Sequence, residues 1–325
     1  MINKTIANRN LALETVRLTE IAAIAAAQFM GGGDEKAADQ AAVEATHKAL
    51  CGLTFDGTIR IGEGSPDEVE KLYVGEKVGT GDGPKVDIAL VALEGTTIVA
   101  RGGPNALAVI AIAGHGRFLT VPNIYMDKIA VGPGLPDGIV DLDNEPADNL
   151  AALADAKGTK VTDLVVCMLD RPRHAELIAK IRETGARIRL IQDGDVSGVI
   201  AATQPEAGVD MFLGIGGAPQ GVLAAAALRG VGGQMQGRLV FRNNDQRTEA
   251  QRLGIEDLER KYATEDMASG NVTFAATGVT YSDMLESVRH VPGGAITHSM
   301  VWRSVTGTLR YVEGHHNFTR QSTTG

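Results

Sequence analysis

Between residues 163 and 229 the chain repeats one pattern three times: a short apolar run, a polar or glycine-rich connection, and a helical stretch. Asp163–Leu169 is followed by Arg171-Pro172-Arg173 and a helical His174–Thr184. Arg187–Ile191 is followed by Asp193-Gly194-Asp195 and a helix from about Val196. Val209–Leu213 leads through Gly214-Ile215-Gly216-Gly217-Ala218-Pro219-Gln220 into the alanine-rich Gly221–Arg229. Strands alternating with helices across short connections form a parallel sheet. Right-handed crossovers then bring successive strand ends to one edge, where open α/β sheets bind ligands. The two arginines, the two aspartates and the glycine loop are therefore expected on the same side.

The front half has a different rhythm. Residues 9–30 are expected as a helix, capped by Asn10 and stopped by Gly31–Gly33. A second helix is expected from about Lys36 to Leu50, with Asp39 in its first turn, where the helix dipole alone would favour a carboxylate. Gly57–Ile61 and Val86–Leu93 read as strands leading into Gly62-Glu63-Gly64 and Glu94-Gly95-Thr96-Thr97. Ala106–Ala113 is long enough for a buried strand, but periodicity leaves it ambiguous. Trp302 and the alternating Leu309–Val312 belong to further strands whose placement does not follow from the sequence. The expected fold class is α/β: an N-terminal α+β domain over 1–160 and a C-terminal α/β domain with parallel strands over 161–325. That boundary is approximate, and the last strands are free to return to the first domain.

Aromatic residues are only 4% of the chain, so Ala, Val, Ile and Leu must fill the core. The net charge of −9 and the lack of a basic tract exclude nucleic acid and anionic membranes as partners, though single basic residues can still hold a small anion. Cys51 and Cys167 are too few for a disulfide framework or a zinc site; they read as buried small residues in a reducing cytoplasm. No signal-peptide core follows the N-terminus, and no apolar stretch reaches the ~18 residues of a membrane span.

Glu63, Glu94 and Asp39 offer hard oxygen ligands of the kind Mg²⁺ or Mn²⁺ takes, although acids at loop starts are also commonly solvated. Arg171 and Arg173 suit a phosphate bidentately, or could pair with Asp170 and Glu176. Asp193 and Asp195 can accept sugar hydroxyls, or form a turn and a helix cap. The loop before Gly221 offers backbone N–H groups to an anion, but it is neither a P-loop nor a full dinucleotide fingerprint. His298 reads as structural and His315-His316 as solvated tail.

Taken in order, seven motifs resemble the class II (GlpX-type) fructose-1,6-bisphosphatases: Gly33-Asp34 with Ala38-Asp39-Gln40-Ala41-Ala42, Ile61-Gly62-Glu63-Gly64, Leu93-Glu94-Gly95-Thr96-Thr97, Tyr125-Met126-Asp127-Lys128, Arg171-Pro172-Arg173-His174, Asp193-Gly194-Asp195, and Gly214-Ile215-Gly216-Gly217-Ala218-Pro219. The resemblance runs from about residue 9 to 316. It implies a layered sugar-phosphatase fold, a homo-oligomer, and Mn²⁺- or Mg²⁺-dependent hydrolysis of the 1-phosphate of fructose 1,6-bisphosphate, in gluconeogenesis or the Calvin cycle. Some relatives also accept sedoheptulose 1,7-bisphosphate. By the same resemblance Asp39 and Glu63 match ligands of one metal, and Glu94 matches a ligand of a second. The Glu94-Gly95-Thr96 turn matches the contact to the scissile phosphate. Thr96, with a nearby acid, matches the group that prepares the attacking water. Tyr125, Arg171-Pro172-Arg173, Asp193-Gly194-Asp195 and Gly217 fall where the sugar and distal phosphate are held.

The departures cluster at the metal end. Val91 stands where the family has a metal-binding Asp, and Ala92 where it has Pro. Gln220 replaces another second-metal Glu and offers a neutral oxygen. Glu35 and Ser65 replace the family's usual Lys and Glu. Mg²⁺ dehydrates reluctantly and wants charged oxygens, so the second site is expected to be weak, or empty without substrate. A catalytically impaired paralogue that binds sugar phosphate, or partners an active relative, is the alternative expectation.

Overall fold

The computed structural model describes residues 2–321, with side chains from 11 to 319. Two units emerge: one from the chain before Arg117 and after Ser269, the other from residues 117–269. In the first, α1 (Ile2–Ala27) begins before the expected cap, so Asn10 lies inside the helix. Helix α2 (Glu35–Cys51) is capped by Asp34, whose carboxylate accepts the Ala37 N–H at 2.9 Å. Asp39 is therefore the fifth residue of the helix, just past the first turn rather than within it. The strands β1 (Asp56–Ile61), β2 (Lys77–Val78) and β3 (Lys85–Glu94) follow, then the short α3 (Thr96–Arg101) and β4 (Leu107–Gly114). The ambiguous apolar run is thus a strand, buried along nearly its whole length. Strands β1 and β3 are parallel, and β3 and β4 antiparallel, with a register shift between Val91 and Glu94.

The second unit holds β5 (Tyr125–Val131), α4 (Pro146–Lys157), β6 (Val165–Leu169), α5 (Ala175–Glu183), β7 (Arg187–Ile191) and α6 (Asp195–Ala201). It continues with β8 (Met211–Gly217), α7 (Ala218–Val231), β9 (Gln234–Val240), α8 (Asn244–Arg252), β10 (Lys261–Ala263) and α9 (Thr264–Met267). The sheet order is β10-β9-β5-β8-β6-β7. The three expected strands are adjacent and parallel: β7 pairs one side of β6 and β8 the other. The chain reverses direction across β6, so the crevice that opens at such a reversal falls at the ends of β6 and β8. The Gly214–Gly217 segment is not a loop, as expected, but the end of β8, paired antiparallel with β5. The aliphatic core of this unit joins Ile129 and Val131 of β5, Leu150 and Leu153 of α4, Met168 of β6 and Ile181 of α5.

The last strands return to the first unit. Strand β11 (Val272–Gly278) pairs with β4, β12 (Arg289–Val291) with β13 (Gly294–Arg303), and β13 with β11 and β14 (Thr308–Asn317). They complete an eight-stranded sheet, with the path β12-β13-β11-β4-β3-β1-β2 and β14 beside β13. Helices α1 and α2 pack small side chains on it: Ala22, Ala26, Ala38 and Ala42 share a core with Ile88, Leu90, Ile110 and Ala275. The division at Gly116/Arg117 precedes the change of rhythm near residue 160, because β5 already belongs to the second sheet.

Three smaller expectations differ from what is observed. Cys51 is exposed, not buried. His315 and His316 lie in β14 rather than in a solvated tail, with His316 Nε2 2.9 Å from Thr297 Oγ1. Pairing of Arg171 and Arg173 with Asp170 and Glu176 is not seen; Gln192 bonds the Asp170 carboxylate, and Lys180 lies by Glu176. No described helix is long and apolar enough to cross a membrane.

Candidate active site

The first unit gathers acids around the ends of β1 and β3. Gly62 turns the chain at the end of β1 so tightly that a Cβ there would fall 2.0 Å from the Leu72 carbonyl oxygen. This turn sets Glu63 against the irregularity in β3, where Ala92 is out of register with β4 and its N–H donates to Glu63 Oε1 at 2.8 Å. Burial pushes the Glu63 carboxyl up to about 7, with the neighbouring Asp39 charge adding to the rise against the Ala92 bond. Burial also raises the Asp39 carboxyl. Both acids are thus held where ionisation is costly, and Asp39 lies past the first turn, the stretch where the helix dipole acts most strongly. Acids kept at such a cost cluster at functional sites.

Glu94 ends β3 and is nearly fully buried. Gly95 follows in the left-handed region (φ +94°), and half-buried Thr96 opens α3. Val91 is half-buried opposite Val109 of β4 and brings no oxygen to this end of the strand. Glu35 is exposed in the first turn of α2, and the Ser65 N–H donates to Glu68 Oε2 at 2.9 Å. Among the described residues, no three His, Cys, Asp or Glu side chains gather into a group able to hold a metal ion. Asp39 and Glu63 still suit one divalent ion as two carboxylate ligands, since Mg²⁺-type ions usually complete their shell with water and substrate phosphate.

In the second unit the expected residues sit at the ends of the parallel strands. Arg171 and Arg173 follow β6, and Asp193 and Asp195 follow β7. Arg171 donates to the Asp170 carbonyl at 3.0 Å, and Pro172 begins a single helical turn. Arg173 Nε and Nη2 both donate to the Ile215 carbonyl of β8, at 3.0 and 2.6 Å. Its guanidinium carbon lies 4.8 Å from the Tyr125 ring centroid, and Arg242 lies 4.2 Å from the same centroid. Buried His174 staples β6 to β8: Nδ1 is 2.8 Å from the Leu169 carbonyl, and Nε2 accepts the Ile215 N–H at 2.9 Å. Burial lowers its pKa, which matches a neutral ring with one donating and one accepting nitrogen.

Asp193 accepts the Gly194 N–H at 2.9 Å, closing the turn into α6. Asp195 is buried and paired with Lys128 of β5, itself wholly buried, whose ammonium also donates to the Gly217 carbonyl at 2.9 Å. Gln220 leans back over Gly217, where a Cβ would fall 1.9 Å from Gln220 Oε1. Cys167, inside β6, has its thiol pushed up to about 12 by burial and is inert.

Asp39 with Glu63, Arg173 with Tyr125, and Asp195 with Gly217 through Lys128 are therefore brought together within their own units. Lys128, His174 and Arg242 had no role assigned from sequence. The first two stand inside motifs that named them without revealing their burial, and Arg242 lies in a polar stretch without a motif.

The comparisons with known proteins bear on this arrangement. The family model described as "Bacterial fructose-1,6-bisphosphatase, glpX-encoded" matches residues 9–316. The chain is 43% identical over 326 aligned positions to "Fructose-1,6-bisphosphatase 1 class 2" of Escherichia coli K12, covering 96% of this chain and 97% of that protein. The same figures hold for "Fructose-1,6-bisphosphatase class 2" of Escherichia coli O6:H1 and of Shigella flexneri. Matched along nearly its whole length by both measures, the chain belongs to the GlpX-type fructose-1,6-bisphosphatases, a family of phosphoric monoester hydrolases.

Proposed function

We propose that this chain hydrolyses the 1-phosphate of fructose 1,6-bisphosphate, with sedoheptulose 1,7-bisphosphate as a second substrate, and that it works in the cytoplasm as a homo-oligomer. The observation that carries the reading is the Asp39–Glu63 pair: two carboxylates kept together although burial resists their ionisation. A bound Mn²⁺ or Mg²⁺ would neutralise that pair and polarise a phosphoryl oxygen. In this reading the Glu94-Gly95-Thr96 turn seats the scissile phosphate. Thr96 orients the water that attacks phosphorus, and Glu94 takes a proton from that water and gives it to the C1 oxygen as the phosphorus–oxygen bond breaks, leaving a sugar hydroxyl and inorganic phosphate. Tyr125, Arg171-Pro172-Arg173, Asp193-Gly194-Asp195 and Gly217 hold the sugar and its other phosphate.

A second reading, a binding paralogue with little turnover, is favoured by Val91 and Gln220, which remove two charges from the second-metal ligand set. The two separate on phosphate release from fructose 1,6-bisphosphate with saturating Mn²⁺ or Mg²⁺. We expect slow release that rises in the triple variant Val91→Asp, Ala92→Pro, Gln220→Glu, since ligands of one ion act as a unit. Substrate binding without any release above blank favours the paralogue.

A further inference from the structure

Most arginines of the second unit that bond a side chain do so to a carboxylate, as Arg229, Arg238 and Arg260 do; among the described residues Arg171, Arg173 and Arg242 are seen with none. Arg171 donates to a backbone carbonyl, Arg173 to another, and the Arg242 guanidinium meets only the ring of Tyr125 among the described residues. The sheet order explains how two of them reach one ring. Tyr125 pairs with Gly217 of β8 on one side and Val240 of β9 on the other. Arg173 comes from the segment after β6, beyond β8, and Arg242 from two residues past the end of β9. The two cations thus approach Tyr125 from opposite flanks of β5, at 4.8 and 4.2 Å from its centroid.

The backbone at Arg242 is fixed in place. Its N–H donates to Gln246 Oε1 at 2.8 Å, while the Gln246 N–H donates to Asn243 Oδ1 at 3.0 Å. These reciprocal bonds cap α8 and set the start of the arginine side chain without using its charge. Stacking on a phenol ring likewise leaves the outward edges of a guanidinium free to donate. Two like charges held at one ring repel each other, and a dianion bonded to both removes that repulsion.

Building on the bisphosphatase reading, we propose that Arg242 is a specificity-determining residue: with Arg173 it clamps the phosphate that is not hydrolysed, and it selects sugar bisphosphates over sugar monophosphates. None of the motifs that carry the family resemblance contains Arg242.

The test compares wild type with Arg242→Ala and Arg242→Lys on fructose 1,6-bisphosphate and on fructose 1-phosphate, which lacks the distal phosphate. Binding of fructose 6-phosphate, which carries only that phosphate, is measured in parallel by calorimetry. Arg242→Ala should lower the preference for the bisphosphate over fructose 1-phosphate about 10- to 100-fold, and weaken fructose 6-phosphate binding by a similar factor, the scale of a lost charge-assisted bond. Arg242→Lys should fall between, keeping charge without the planar fork. Arg242 is exposed, and an unchanged melting temperature would show that the variants fold. An unchanged substrate preference and unchanged fructose 6-phosphate affinity in Arg242→Ala overturn this proposal alone. A wild type that neither hydrolyses the bisphosphate nor binds fructose 6-phosphate overturns the bisphosphatase reading with it.

Discussion

At the scale of single residues, Glu63 ties function to stability. Its carboxyl is held near 7 in the fold against 4.5 in the free chain. Folding therefore favours the protonated form. That contribution is complete below pH 4.5 and is lost as the pH rises through 7; a shift of this size amounts to ~3 kcal/mol. Without added metal, Glu63→Gln should melt higher than wild type at pH 8 and at the same temperature near pH 4.5, with thermal unfolding across that range as the measurement. A gap that does not change with pH would rule out the ionisation cost as its cause. The motif around Glu63 was legible because Gly62 and Gly64 flank it, but its cost was not. That cost comes first from burial, is offset in part by the Ala92 N–H and is raised by Asp39, two residues distant in sequence and adjacent only in the fold.

Among the elements, the tie between β5, α6 and β8 matters most. Lys128 joins Asp195, in the first turn of α6, to Gly217 at the end of β8, and so fixes two segments expected to hold substrate. Removing one member of a buried pair strands the other charge. Lys128→Met should cost about 3–5 kcal/mol of stability, and adding Asp195→Leu should recover part of the loss in denaturant titrations. An additive double variant would mean that the two charges do not interact. The alternation in 163–229 made the parallel strands legible to within a few residues. The extension of β8 through Gly217 was not legible, because glycine is a poor strand former and strand pairing with β5 overrides that preference. Lys128 was hidden for a related reason: a lysine in an apolar run reads as the solvent-facing end of a strand, and only its partners reveal otherwise.

For the whole molecule, the change of rhythm near residue 160 marks the parallel strands but not the unit that contains them. That unit is one continuous stretch, 117–269, with its own sheet and aliphatic core. Expressed alone, it should fold and melt cooperatively by circular dichroism; a non-cooperative, broad transition would show that it depends on the rest of the chain. The first unit has no such independence. The chain leaves it at Gly116, whose N–H is bonded to buried Asp87 at 2.6 Å, and returns at Gly270. The sequence left the last strands unplaced because their partner, β4, lies more than 150 residues earlier.

That return has a consequence for synthesis. While a ribosome is still translating the middle of the message, β4 has no β11 beside it, and an apolar strand with one bare edge invites pairing with other nascent chains. The half that carries Asp39 and Glu63 can finish its sheet only after β11, β13 and β14 have emerged, so a truncated product would be prone to aggregate.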